Sequence, residues 1–435
     1  MKFFRIFALL PFLVFSHAED MYLIKGGMTF LPDGSFAKKD ILVDEGLIIL
    51  VEDNIGDVGA ENIIDANGKY VTPGLIVFSS LGLLELSSLP ETNDTSSDIY
   101  NAGFDPSKAY NPFSQAVRLN RAKGVSSTVH VPRASGYFSG LLTYTKINEG
   151  YKQKKQGPLG LVTSFGQSYD DSRAANLLFM EDLFNYVRTN KDDNYADMTQ
   201  FMLGTANDYK FTSRDFKALL KVLNGEIPLV VQVSRATDIL NVLKFAESQQ
   251  IDLVLWGAAE AHMVADEIAK ADVPVVLDPL DNVPRTFDSL NSTYENAIRL
   301  DQAGVKMAFY YSQGAGSHNA YLATQSAGNS VAMGLDYSTA MKSITSNLAD
   351  IFGLVGVGSL APGYDADLVI WDNDPLELMT NVDNLLVDGM DQDLSNRYEE
   401  LTDRYMKEKE LPNSYRSRES VSYTHLRAHE TVANR

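Results

Sequence analysis

Val71-Thr72-Pro73-Gly74-Leu75-Ile76-Val77-Phe78-Ser79-Ser80-Leu81-Gly82-Leu83-Leu84 is the stretch on which the fold turns. A Pro-Gly pair separates two apolar runs, so one strand is expected to end near residues 70–71 and another to begin at Leu75. The second run is apolar on successive residues, as a parallel strand buried on both faces is. Over residues 73–353 apolar runs alternate with amphipathic ones, the pattern of a parallel α/β fold. Strands are expected at 126–131, 159–164, 229–233, 253–256, 273–277 and 305–310. Helices are expected at 172–189, 213–223, 236–249, 261–270 and 292–302, and from 333 to 352. Eight strand–helix pairs of this size make a distorted (β/α)8 barrel, although its third and fourth strands have no clean signature.

Before the barrel, residues 19–72 read as short strands broken by Gly26-Gly27, Pro32-Asp33-Gly34 and Glu45-Gly46, a small antiparallel unit. At the other end, Gly358-Ser359-Leu360-Ala361-Pro362-Gly363-Tyr364-Asp365-Ala366-Asp367-Leu368-Val369-Ile370-Trp371-Asp372 places a Pro-Gly turn ahead of a strand. Residues 354–398 are expected to form a second β portion and 399–420 an extension.

Both punctuated stretches resemble the amidohydrolase superfamily, its imidazolonepropionase-like members in particular. Pro73-Gly74-Leu75-Ile76 matches the start of the family's P-G-L-I-D-x-H-x-H, Gly124-Val125-Ser126-Ser127 is similar to its G-V-T-T, and 358–372 resembles its G-S-L-x-P-G-x-x-A-D-L-V-V-W-D. The resemblance covers residues 20 to 416. It implies a TIM-type barrel whose β-sandwich is built from both chain ends, and hydrolysis of non-peptide C–N bonds. It also implies a metal held by two histidines of strand one, one each from strands five and six, an Asp of strand eight and often a carbamylated Lys. Here Val77 stands for the motif's Asp, Ser79 and Leu81 for its histidines, and Gln232 and Ser234 for those of strand five in P-x-x-V-H-A-H-R-A-x-D-I. Strand six offers Trp256-Gly257-Ala258 and strand eight no Asp. A metal lowers the pKa of bound water from about 15.7 to about 7, worth about 12 kcal/mol towards hydroxide. No metal and no other cofactor is therefore expected. A catalytically silent barrel that binds a small molecule or a protein partner stands beside the hydrolase reading.

Setting aside His17 and the tail, three histidines remain, His130, His262 and His318. His130 reads as a packed core residue and His262 as a helix-face residue. His318 follows the last strand through Gln313-Gly314-Ala315-Gly316, on the side where barrels place their sites. With Ser79 it is the candidate catalytic residue, as a general base. The expected pocket, at the carboxyl ends of the strands, is lined by Ser79, Gln232, Ser234, Arg235, Trp256, Ser312, His318 and Asn319. Arg235 either pairs with Asp238 one helical turn away or orients a ligand carboxylate or carbonyl. Asp170 and Asp171 read as a cap for the helix at 172.

With 435 residues, 45% hydrophobic and 22% charged, the chain is an ordinary globular protein with a large core. A net charge of −20 leaves no basic excess to neutralise phosphates, which excludes a nucleic-acid partner. Met1-Lys2-Phe3-Phe4-Arg5, an apolar run and Ser16-His17-Ala18 form a basic, an apolar and a small-x-small region. Residues 1–18 are therefore expected to be a cleaved signal peptide of a periplasmic or secreted protein, the alternative being a retained anchor. No later stretch is apolar and long enough to span a membrane, and the oligomeric state is not legible. Residues 421–435 break from the preceding composition and read as translated adapter sequence or as a disordered tail.

Overall fold

The computed structural model describes residues 21–85, 89–133, 136–150, 154–166, 172–191, 212–312 and 317–406. The expected signal peptide, tail and 313–316 loop, as well as Asp170 and Asp171, lie outside them. Residues up to Leu394 form one unit and those from Ser395 a second.

Five strands open the first unit: β1 (Tyr22–Phe30), β2 (Phe36–Asp44), β3 (Leu47–Glu52), β4 (Asn62–Asp65) and β5 (Tyr70–Pro73). β2 lies antiparallel between β1 and β3. On its other edge β1 pairs in parallel first with β4 and then with β5. The change of partner falls at Gly26-Gly27, where an extra residue bulges the ladder to β2. Buried Asp40 holds that bulge by accepting Gly26 N at 2.8 Å and Ile55 N at 2.9 Å.

The barrel sheet follows in chain order: β6 (Leu75–Ser79), β7 (Val125–His130), β8 (Phe138–Lys146), β9 (Lys155–Ser164), β10 (Leu229–Val233), β11 (Leu253–Gly257), β12 (Val275–Leu277) and β13 (Met307–Phe309). All neighbours are parallel except β8, which is antiparallel to both β7 and β9. The helices include α1 (Gln115–Arg121), α2 (Arg173–Thr189), α3 (Ser213–Leu223), α4 (Ala236–Gln249), α5 (Ala265–Lys270), α6 (Asn296–Gln302), α7 (Ala323–Ala332), α8 (Tyr337–Ser343) and α9 (Ser346–Ile351). Ser172 caps α2, its Oγ accepting Ala175 N at 3.2 Å. The helix expected at 261–270 begins as a 3-10 turn, Ala261–Val264, before α5.

The long helix expected to run to residue 352 is broken in two. Thr345, at φ −129° and ψ −94°, separates α8 from α9. The break has a use, because it frees the Ile344 carbonyl to accept Ile76 N of β6 at 3.2 Å. Asn347 Nδ2 meanwhile donates to Met307 O of β13 at 2.7 Å. Residues 344–347 thus bridge the sheet's two end strands, satisfying edge groups that burial would otherwise leave unpaired.

The chain then returns to the first sheet. β14 (Leu368–Trp371) pairs antiparallel with β5 and with β15 (Val382–Val387), which pairs with β16 (Met390–Asp391). Both ends of the unit therefore build one eight-stranded sheet, its core formed by Ile24, Ile41, Ile48, Val71, Leu368 and Leu386. Gly124 shows why the motifs carry glycine. Its φ is +88°, and a Cβ there would lie 2.7 Å from the Trp371 ring. The Trp371 indole in turn donates to Thr72 Oγ1 at 2.9 Å.

Barrel and second sheet are joined by Lys146, the last residue of β8. Only 1% exposed, its Nζ reaches Asp365 at 2.7 Å, Asp367 at 2.9 Å and Asp388 at 2.6 Å. Burial opposes its charge, but Asp367 and its neighbours outweigh that and hold the lysine well above the ordinary range. The second unit carries one described helix, α10 (Arg397–Met406), none of whose residues is buried. No helix among the described residues is long and apolar enough to cross a membrane.

Candidate functional site

Alternation along each strand decides which side chains enter the barrel. Ile76, Phe78, Val129, Tyr144, Val162, Val230, Val254, Val276 and Ala308 form one buried cluster, which Leu348, Phe352 and Leu354 join from the region of α9. The cluster draws on every barrel strand and so marks the interior. Two residues further along their strands, Gln232, Trp256 and Tyr310 share its parity. Ser79 does not: it shares the parity of Leu75 and Val77, which pack in the outer, helix-facing layer together with Leu81. Of the two positions that correspond to the strand-one histidines, Ser79 thus carries the outer layer's parity, and Leu81, in the turn past β6, is buried in the outer cluster. Ser79 sits beside His130 in the ladder and is 9% exposed.

The interior carries a group of aromatic rings. Phe78 lies 5.4 Å from Trp256, 6.1 Å from Tyr310 and, stacked, 6.0 Å from Phe352. Trp256 and Tyr310 are 6.1 Å apart. The Trp256 Nε1–H is buried and makes no hydrogen bond of full geometry among the described residues, while its interaction with the Tyr310 hydroxyl opposes, without overcoming, the effect of burial on that phenol. Burial pushes the Tyr310 phenol above its usual range. Gln232 is the ladder partner of both Trp256 and Ser164. Gln232, Ser234, Trp256, Tyr310, Ser312, His318 and Asn319 are all half-buried, as groups bordering solvent are.

The rim is held by carboxylates that the sequence reading passed over. Asp278, just past β12, is buried and accepts Ser312 N at 2.9 Å and Ser312 Oγ at 2.7 Å. Buried Glu260 accepts Ala236 N, at the start of α4, at 3.1 Å, and Asn291 N at 3.0 Å. A negative group there complements the helix N-terminus. Val276-Leu277-Asp278-Pro279, an apolar run ending in Asp-Pro, was the available signal for Asp278. Asp238 does not pair with Arg235. It takes Arg173 Nε at 2.8 Å, and the same guanidinium also binds Asp288. Burial raises the Asp238 pKa against the pull of Arg173. Arg235 is exposed at the N-cap of α4 and has no ion pair among the described residues.

The three histidines have separate fates. His130 is fully buried, lies 5.0 Å from the Tyr110 ring, and has no hydrogen bond at either nitrogen among the described residues. Burial pushes it down to about 3, so it stays neutral at ordinary pH. His262 belongs to the 3-10 turn, its backbone N donating to Asn296 Oδ1 at 2.9 Å, and burial lowers its pKa too. His318 Nε2 donates to the Glu85 carbonyl at 2.9 Å, since a carbonyl can only accept. Buried Asn120 clamps its turn, donating to the Ser317 and His318 carbonyls at 3.2 and 2.9 Å and accepting Tyr321 N at 2.8 Å.

Residues 233–392 match the amidohydrolase family. An amidohydrolase of Thermotoga maritima MSB8 has a similar structure, with a TM-score of 0.73, 26% identity, and coverage of 85% of this chain and 99% of that one. This chain belongs to the amidohydrolase superfamily. The curated amidohydrolase tasK of Hapsidospora irregularis is 23% identical over 401 residues, 81% of this chain and 40% of the relative. This chain thus spans about two fifths of that relative's length. A prolidase solved with N-methylphosphonate-L-proline shares the fold alone, at a TM-score of 0.52 and 16% identity over 85% of this chain.

Superfamily hydrolases bind metal, and the residues present do not fit one. Zinc-type sites take imidazole, thiolate or carboxylate donors. The corresponding positions hold Ser79, Leu81, Gln232, Ser234 and Trp256. Among the described residues no three His, Asp or Glu side chains are grouped to share an ion.

Proposed function

We propose that this chain is an exported, metal-independent member of the superfamily that binds a small molecule at the barrel mouth without hydrolysing it. One observation carries the reading. Trp256 stands where a ligand histidine belongs, packs on Phe78 and Tyr310, and keeps a buried Nε1–H without a hydrogen bond of full geometry among the described residues. A buried donor without a partner costs on the order of 1–3 kcal/mol, and a ligand oxygen would recover it. The rings suit a flat apolar body, the neutral Gln232, Ser234 and Ser312 suit an amide, and Arg235 suits a carboxylate. His318 and Asn319 border the same mouth. Export rests on the basic, apolar and small-x-small regions of residues 1–18.

The test is a thermal-shift screen of aromatic acids, hydantoins, N-acyl amino acids and dipeptides. A ligand should raise the melting temperature of the native chain, and less so in Trp256→Phe, which keeps the ring but loses the donor, and in Arg235→Ala. Hits indifferent to both substitutions refute the site. A second reading, hydrolysis of a non-peptide C–N bond, is favoured by the match over 233–392. Turnover of the same amides after loading with zinc or manganese, abolished by a chelator, would establish that reading in place of the first.

A further inference from the structure

A cleft of about 760 Å³ opens at the end of the barrel opposite the mouth, beneath the starts of β10, β11 and β12. It lies between α4 and α5, lined by Leu240, Leu243 and Glu247 of the one and by Glu267 and Lys270 of the other. The floor is apolar, and Leu240, Leu243 and Ile351 are only half-buried there. A volume between about 300 and 1,000 Å³ with an apolar floor is that of a small-molecule site.

The rim sets the sign of the ligand. Glu247, Asp252, Glu267 and Asp272 face two cations, Lys244 and Lys270. None of the six forms an ion pair within 4 Å among the described residues. Both helices also direct their carboxyl ends here, and the last turn of α4 carries no basic side chain. The partial negative charge of that helix end is therefore left for a cation.

We infer that this cleft is a second binding site, for an organic cation that joins an ammonium group to an apolar body. The body lies on Leu240, Leu243 and Ile351, and the ammonium sits among the carboxylates. The site is remote from the mouth and independent of what binds there.

Dansylcadaverine, an aromatic amine, is the probe, with dansylglycine as its anionic counterpart. With the full chain, dansylcadaverine should give a saturable, blue-shifted emission that weakens with added salt. Glu247→Gln with Glu267→Gln should loosen it about fivefold, as loss of exposed ion pairs does. Ala271→Trp should block the cleft, with far-UV circular dichroism as the check on folding. Trp256→Ala, at the mouth, should leave it unchanged. Equal binding of dansylglycine, indifference to the double Gln substitution, or loss in Trp256→Ala would each overturn the inference.

Discussion

The two ends of the barrel treat charge in opposite ways. Where β8 meets the second sheet, a fully buried lysine is matched by three aspartates within 3 Å. At the mouth, positions that hold metal ligands elsewhere in the superfamily carry Gln232, Ser234 and Trp256, none of them charged. The junction's charge is neutralised by other side chains, whereas the buried carboxylates at the mouth's rim, Asp278 and Glu260, are held by neutral hydrogen-bond donors. Clustered metal ligands without their ion are costly, so neutral substitutes follow from losing it. The lower junction has no such dependence, since its counter-charges are covalently part of the chain.

The largest effect is expected at the junction. Lys146→Met leaves Asp367 buried without its ammonium, and removing one partner of such a cluster costs about 3–5 kcal/mol. Urea unfolding measures it, and a loss under 1 kcal/mol would erase the contrast between the two ends. The pH dependence sharpens the test. Burial alone would raise Asp388, but the hydrogen bonds from Lys146 and Lys154 prevail and lower it below 3.8. A depressed carboxylate contributes stability above its unfolded pKa, and loses it as pH falls through the folded one. The raised Lys146 contributes below 10.5 and loses that only well above it. Stability should therefore fall below about pH 4 and again at strongly alkaline pH, and Lys146→Met should flatten both limbs.

Most of the fold was legible because its signals are local. β10, α3 and α4 fall on the expected residues since an apolar run or an amphipathic period lies between clear stops. Strands three and four were not cleanly legible, for a topological reason. β8 is antiparallel to both neighbours, and no helix lies beside it in the chain among the described residues, so the strand–helix alternation that betrays a parallel barrel is missing there. The single helix expected up to residue 352 failed because a tertiary demand, the unpaired Ile76 N–H, overrode local helix propensity at Ile344 and Thr345. At the mouth, motif spacing located Gln232, Ser234 and Trp256 by their place in strands five and six. Ser79 was assigned by spacing alone, and only the shared parity with Leu75 and Val77 reveals its outward face. Asp278, Glu260 and Arg173 act through partners distant in sequence, so no local pattern announces them.

A middle-sized effect tests the ties between barrel and sheet away from charge. Gly124→Ala must hold a left-handed φ while its Cβ meets the Trp371 ring. Such strain costs about 1–3 kcal/mol, and a melting temperature unchanged within error would show that the contact gives way freely. Asn120→Ala should cost a similar or smaller amount, about 1–3 kcal/mol for unsatisfied buried groups. Loss of the clamp should also loosen His318 from Glu85. Hydrogen exchange over residues 317–322 should rise, and unchanged protection would remove Asn120 as the support of that turn.

The smallest stability effect belongs to the mouth. Gln232→His with Ser234→His returns the strand-five donors of the superfamily to two half-buried positions. Both sites are only half-buried, so unfolding free energy should move by less than about 1 kcal/mol. The same double variant tests whether the mouth can hold a metal at all. If missing donors alone kept a metal out, restoring two of them should raise zinc affinity appreciably. The parity of β6 predicts otherwise. Ser79 shares the parity of the outward Leu75 and Val77, Leu81 packs in the outer layer, Trp256 and its ring partners occupy the interior, and two imidazoles fall short of the three protein ligands of a catalytic zinc site. Zinc should therefore bind no more than weakly, with little gain in melting temperature even at a large excess of metal. Tight stoichiometric zinc in the double variant would mean that the mouth can still gather a metal's ligands, and would count against the metal-independent reading proposed for this barrel.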